Sequence, residues 1–296
     1  MNYLLKEKIF SHCSMLAFSI FVSGSFTFGS LIANEISTEL LTFYRFLLAT
    51  IILGVILYFN KSIYSHHLKN IWRYFVLGAI YSIYFVFMFV ALKYTTTVST
   101  AAIFTLLPLF AALLERLFLK KSSPALIWAA FSLSGMGALW IIFEGSINGL
   151  LQFRFEEGEA IFLLGTICYA SYAIIQPKLF EGENIYVTTL GVLAAGSIIL
   201  ALSLILQQSS FVVHEITFEV FWVIFYLAIF ASIGSITCLN CASPRLSAPV
   251  VSAYTLLVPF WVILNDFVFF KIAPNMSMTV GAILIAFGLL ILIYRS

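Results

Sequence analysis

Apolar residues run along this chain in ten stretches separated by short polar breaks, over about 11–32, 39–59, 71–93, 97–119, 125–143, 158–178, 185–207, 219–241, 248–270 and 276–294. A helix of about 20 residues matches the hydrocarbon thickness of a bilayer, so each stretch predicts a membrane span. Helices are the form expected, because backbone groups in hydrocarbon must find their partners within the segment. The strands of an outer-membrane barrel would alternate apolar and polar residues, and these stretches do not. Composition agrees: 62% of the 296 residues are hydrophobic and 9% are charged. The short connections leave no room for a soluble domain. The first stretch is of span length and lacks a small-residue cleavage site, so it is read as a retained first helix.

Basic residues orient the bundle. With the N-terminus inside, the cytoplasmic side receives Lys6, Lys8, Lys61, Lys69, Arg73, Arg116, Lys120, Lys121, Lys178, Arg245 and Arg295. The other side receives Lys93, Arg154 and Lys271, and its loops are acidic, Glu156, Glu157 and Glu159 among them. Both termini are therefore expected to be cytoplasmic. The net charge of +2 is spread along one membrane face and gives no reason to expect a nucleic-acid partner. Cys13, Cys168, Cys238 and Cys241 lie in or beside spans, where a free thiol packs as a small hydrophobe, and buried thiols are expected. His12, His66, His67 and His214 sit at or outside span ends, which leaves no intramembrane pair for a haem. No cofactor and no metal site are expected.

The chain also repeats itself. Thr105-Leu106-Leu107-Pro108, with Glu115 and Lys120 after it, is echoed 151 residues later by Leu256-Leu257-Val258-Pro259, Asp266 and Lys271. Ala130, Gly135 and Gly137 answer to Gly281, Ala286 and Gly288 at the same offset. Earlier in each half the offset is 147, with Ala49-Thr50-Ile51-Ile52-Leu53 facing Gly196-Ser197-Ile198-Ile199-Leu200. Five spans per copy is an odd number, so the second copy must enter the membrane from the opposite side. The predicted fold is an all-α polytopic membrane protein with ten transmembrane helices in two inverted five-helix repeats, residues 1–149 and 150–296.

Charged groups inside the spans are the sharpest functional signals, since each costs roughly 2.5–3.5 kcal/mol to insert at mid-bilayer. Arg45, Glu115 and Asp266 qualify. Glu115, near the cytoplasmic end of the fourth span, either snorkels to the headgroups or lines a pathway. Asp266 has the same choice at the outer end of the ninth. Counting from the outer end, Arg45 lies about 9 Å deep and Asp266 about 6 Å. An Arg45–Asp266 ion pair closing the outer side is the expectation.

Helical spacing adds further candidates. Tyr81, Tyr84 and Met88 share a face of the third span, and the repeat sets Ser232, Ser235 and Leu239 at matching places in the eighth. Thr166, Tyr169, Tyr172 and Gln176 share an arc of the sixth. Thr100, Phe104, Pro108, Ala111 and Glu115 form a stripe echoed by Val251, Thr255, Pro259, Val262 and Asp266. Hydroxyls of this kind often only pack helices together. A tyrosine well inside a span needs a hydrogen-bond partner or water, which makes the four tyrosines pathway candidates. Pro108 and Pro259 are central in their spans, where each frees a carbonyl and either shapes a cavity or merely packs.

The run Ala91-Leu92-Lys93-Tyr94, Pro108, the Gly135-containing fifth span and Phe43-Tyr44-Arg45-Phe46 with Ala49 together resemble the EamA-type branch of the drug/metabolite transporter superfamily, over about residues 11–294. The resemblance implies ten helices in two inverted repeats and alternating access to a central cavity lined by spans 1, 3, 4, 6, 8 and 9. It also implies an inner (plasma) membrane location. Members move amino acids, drugs and other small metabolites, many of them outward. Family members often end the fourth and ninth spans with Gly-Glu, whereas this chain reads Lys120-Lys121 and Lys271-Ile272, with its acids six residues earlier.

The function expected is a secondary transporter exporting a small organic solute, an amino acid or a related metabolite or drug. Import or facilitated diffusion is the alternative. The partners are that solute and the lipid bilayer. Glu115 either favours a cationic solute or carries a coupling proton. A membrane-embedded enzyme would need catalytic groups at one depth, and Glu115 and Asp266 are assigned to opposite leaflets. A scaffold role predicts that changes on the Tyr and Ser faces have no effect.

Overall fold

Four polar side chains set where the helices begin. Ser37, Thr96, Asn184 and Thr217 each accept a hydrogen bond from a backbone N–H in the first turn that follows. They satisfy donors that a helix start would otherwise leave open. The computed structural model describes residues 2–62, 69–120, 124–148, 156–208, 217–246 and 248–294. Lys121, Arg154, Arg295, His66, His67 and His214 lie outside them.

Every regular element among the described residues is helical. The first half comprises α1 (Asn2–Ile32), α2 (Thr38–Phe59), α3 (Trp72–Ala91), α4 (Thr97–Phe104), α5 (Leu107–Leu119) and α6 (Ala125–Ile142). The second comprises α7 (Glu157–Leu179), α8 (Ile185–Leu206), α9 (Phe218–Ala228), a π-helix (Ile229–Gly234), α10 (Ser235–Ala242), α11 (Ala248–Ala253), a 3₁₀ turn (Tyr254–Leu257), α12 (Val258–Phe270) and α13 (Met276–Tyr294). Among the described residues nine helical stretches are long and apolar enough to cross a membrane, and Met276–Ile291 is a shorter apolar helix. Large apolar side chains such as Leu117, Phe118, Leu206 and Phe218 are exposed on the outside of the bundle, as a surface against lipid requires.

Three details depart from the sequence reading. The first helix starts at Asn2, ahead of its apolar stretch. The eighth span is interrupted by the π-helix. The fourth and ninth spans are broken helices, and Pro108 and Pro259 stand in the first turn of the second segment, not at the middle of a kinked rod. Proline fits a first turn because its missing N–H would have no partner there. The chain before Pro108 tightens instead, with Thr105 N–H donating to Ala102 O and Leu106 N–H to Ile103 O. Both segments also end alike: Lys120 and Lys271 adopt left-handed conformations with φ of 53° and 59°. Glycine takes this C-terminal position most easily.

Packing repeats with the sequence. The third span packs against the sixth and the first against the eighth, pairs that exchange when the halves exchange. The fifth span, α6, packs on its own copy, α13. There a Cβ on Gly137 would meet Gly281 O at 2.7 Å, and one on Gly288 would meet Ala130 O at 2.8 Å. Residue 130 thus lies by 288 while 137 lies by 281, so the two helices run antiparallel. Under the 151-residue offset each contact maps onto the other, and the second half is inverted relative to the first.

Candidate functional site

Arg45 lies at the middle of the packing, on the α2 face that turns away from lipid, and is completely buried. Its Nε–H donates to Ser232 Oγ at 3.0 Å and an Nη2–H to Ala231 O at 3.4 Å, both on the π-helix. The Phe85 ring lies 3.9 Å from the guanidinium carbon and offers its electron-rich face to the charge. Nη1 has no hydrogen-bond partner among the described residues. The expected pair with Asp266 is not formed. Depth along a span does not fix which way a side chain points, and Asp266 Oδ2 instead accepts a hydrogen bond from Thr97 Oγ1.

Around Arg45 the second, third, fourth and sixth spans build a wall of rings. Tyr81 stacks on Phe46 with centroids 5.5 Å apart and on Tyr172 at 4.9 Å. Tyr84 stacks on Tyr169 at 4.5 Å, and Tyr169 on Phe104 at 6.0 Å. Offset stacks of this kind add about 0.5–1.5 kcal/mol each beyond area burial. Tyr81 and Tyr84 are buried, whereas Tyr169, Tyr172 and, one turn further on, Gln176 are half-buried. The wall therefore becomes accessible toward the C-terminal end of α7.

Other predicted residues play smaller parts. Met88 is buried beside the wall, with Sδ 3.9 Å from the Tyr84 hydroxyl. Thr100, Thr166, Ser235 and Thr255 donate their hydroxyls to carbonyls three or four residues earlier in their own spans, the ordinary fate of such groups there. Glu115 is half-buried and joins none of the ion pairs among the described residues. Cys13 is exposed and the other cysteines half-buried, so the expectation of buried thiols fails; all four are free. An apolar groove of about 500 Å³, lined in part by Phe260, Phe267 and Ile283, lies between α12 and α13, away from the tyrosines.

Sequence reasoning missed polar closures at both ends of the bundle. At the end opposite the N-terminus, α4 is held by two buried carboxylates. Thr97 donates to Asp266, and Ser99 donates to Glu159. Glu159 reads as a loop acid, but with Glu156 it forms a capping box that draws it into the start of α7. At the N-terminal end, Arg73 Nη1 meets Glu183 Oε1 at 2.8 Å and Nη2 meets Glu181 Oε2 at 3.3 Å. His12 Nδ1 and the Tyr254 hydroxyl are 2.7 Å apart. The 147-residue offset sets His12 opposite Glu159, so a polar tie between α1 and the ninth span answers the one between α7 and the fourth.

The double architecture agrees with comparison to known proteins. The EamA-like transporter family matches residues 9–143 and, a second time, residues 157–294. The chain belongs to this family. Among its relatives is the uncharacterized transporter YyaM of Bacillus subtilis, 27% identical over 280 residues, which cover 93% of this chain and 91% of that protein. An uncharacterized transporter of Archaeoglobus fulgidus is 23% identical over 279 residues, 93% of this chain and 94% of the other. A solved crystal structure shares the fold, with a TM-score of 0.71 at 17% identity over 97% of this chain and 96% of that one. This EamA-like protein is thus a multi-pass membrane transporter, and the ring wall around Arg45 is the polar and aromatic centre of its two repeats.

Proposed function

We propose that this EamA-like protein is a secondary transporter that exports a small organic solute across the inner (plasma) membrane by alternating access. Ten spans cross the membrane as two repeats, residues 1–149 and 150–296, whose boundary lies outside the described residues, with both termini in the cytoplasm. The observation that carries the reading is the stacked wall of Tyr81, Tyr84, Tyr169 and Tyr172 at the bundle centre, closed toward one end and half-exposed toward the other. Rings disposed in this way suit a planar or amphipathic solute such as an amino acid.

Phe104, Met88 and Ser232 complete the wall, and Gln176 stands at its entrance. Ser235, Thr100 and Thr255 support the helices behind it. The breaks before Pro108 and Pro259 are the hinges that rock one repeat against the other. Asp266 fastens the outer end, and Glu115 lines the inner mouth, where it is placed to exchange a proton. Outward direction rests on the family resemblance.

The test is a metabolite-efflux screen in cells with and without the protein, followed by uptake into proteoliposomes. Tyr84→Ala and Tyr169→Ala are expected to lower transport of the solute so found by about two- to tenfold each, the size of one ring pair. Unchanged export in both variants would move the pathway elsewhere. Insensitivity to a proton uncoupler would remove Glu115 from coupling.

A further inference from the structure

Among the described residues two cations are buried, Arg45 and Arg73. Arg73 lies between Glu181 and Glu183. Arg45 has no carboxylate of the described residues within ion-pair distance. The buried acids of the described residues are engaged elsewhere, Asp266 through Oδ2 with Thr97, Glu159 with Ser99 and Glu183 with Arg73. A guanidinium stays charged in a protein. One held in low dielectric without a counter-charge costs several kcal/mol.

What surrounds Arg45 fixes its place without neutralising it. Ser232 Oγ and Ala231 O are neutral acceptors, and Phe85 supplies a ring face. Nη1 is buried without an acceptor among the described residues, although most buried donors have one. The π-helix contributes as well, since its widened turn is a local distortion of a kind frequent at functional sites. Beside this unbalanced charge stand the stacked tyrosines, whose accessible members are Tyr169 and Tyr172.

We infer that Arg45 is the anchor for an anionic group on the transported solute, and that the solute class is small organic carboxylates with a planar apolar body. This rests on the transport reading above and narrows it. A carboxylate accepts two parallel N–H bonds from a guanidinium, which uses the vacant Nη1 and balances the charge. The rings take the planar body. An inorganic anion would leave that wall unused, and a cationic solute would be repelled by Arg45. Entry from the side of Tyr172 and Gln176 requires the rings over Arg45 to part, and a repeat that rocks about its broken helices supplies that motion.

The experiment compares phenylacetate, phenylacetamide and phenethylamine, three probes with one ring and a negative, neutral or positive head. Binding to the purified protein in nanodiscs is read by calorimetry, alongside thermal stability. Phenylacetate is expected to bind about tenfold or more tighter than phenylacetamide, the scale of one charge-assisted hydrogen bond, and phenethylamine weakest. Arg45→Lys should keep part of the preference and Arg45→Gln should lose it. Equal binding of acid and amide, no binding of the acid, or a preference that survives Arg45→Gln would overturn the assignment. The wild-type comparison decides the matter even if Arg45→Gln does not fold. Failure of the transport reading looks different: phenylacetate binds with the stated preference but radiolabelled phenylacetate does not cross proteoliposomes.

Discussion

A charge withdrawn from water stays charged only if its surroundings replace what water supplied. Glu183 shows how that replacement is made. Burial alone would raise its carboxyl, but backbone N–H groups, Arg73 and Thr188 outweigh burial and hold it below the usual carboxylate range. A folded value below the ordinary 4.5 means the pair stabilises the protein in full above that pH and loses the effect as pH falls through the lower folded value. Melting temperature should accordingly drop on acidification below pH 4.5 in the wild type and fall less steeply in Glu183→Gln. Arg73→Ala should cost about 1.5–3 kcal/mol at neutral pH, the worth of its hydrogen bonds to charged groups. A pH profile identical in wild type and Glu183→Gln would contradict this account. Such partners were not legible in the sequence. The 3.6-residue period showed which tyrosines share a face, but no periodicity tells Arg45 that it meets Ser232 and not Asp266.

Helices in this protein approach one another most closely where side chains vanish. On α13, Gly281 lies against Gly137, and a Cβ there would come within 2.6 Å of the Gly137 carbonyl oxygen. Gly135, two residues from Gly137, would place its Cβ 3.4 Å from a movable Leu106 methyl. Gly281→Ala should therefore destabilise by about 1–3 kcal/mol through overpacking, while Gly135→Ala should be tolerated. Thermal unfolding in one detergent checks both, and equal losses would show that helix approach is not what limits this position. The apolar runs predicted element existence well because lipid imposes span length. They did not reveal the breaks ahead of Pro108 and Pro259, since a proline marks where a helix restarts as readily as where one bends. Nor did composition betray the π-helix: in Ile229–Gly234 only Gly234 is of a type that the flanking α-helices lack, and one glycine does not specify a widened turn.

At the scale of the whole molecule, the repeat register was the most legible feature, and the reciprocal contacts of α6 with α13 realise it. The proposed alternation requires the end where Thr97 meets Asp266 to part in each cycle. Thr97→Cys with Asp266→Cys, in a background free of other cysteines, should stop transport on oxidation and regain it with reductant. Transport that continues through the cross-link would place the moving seam elsewhere. The same fastening has an energetic consequence. Shifting Thr97 and Ser99 by the repeat offset gives Ala248 and Val250, neither of which carries a hydroxyl, while Asp266 corresponds to Glu115. The proposed orientations are thus fastened by different contacts, Thr97–Asp266 and Ser99–Glu159 at one end and His12–Tyr254 with the Arg73 ion pairs at the other, and need not be equal in free energy. Each missing hydrogen bond at about 0.5–1.5 kcal/mol shifts that balance roughly two- to tenfold. Such a carrier idles facing one compartment and half-saturates at different solute concentrations on its two sides, while the solute gradient, or an ion coupled to it, still sets the direction of net flow.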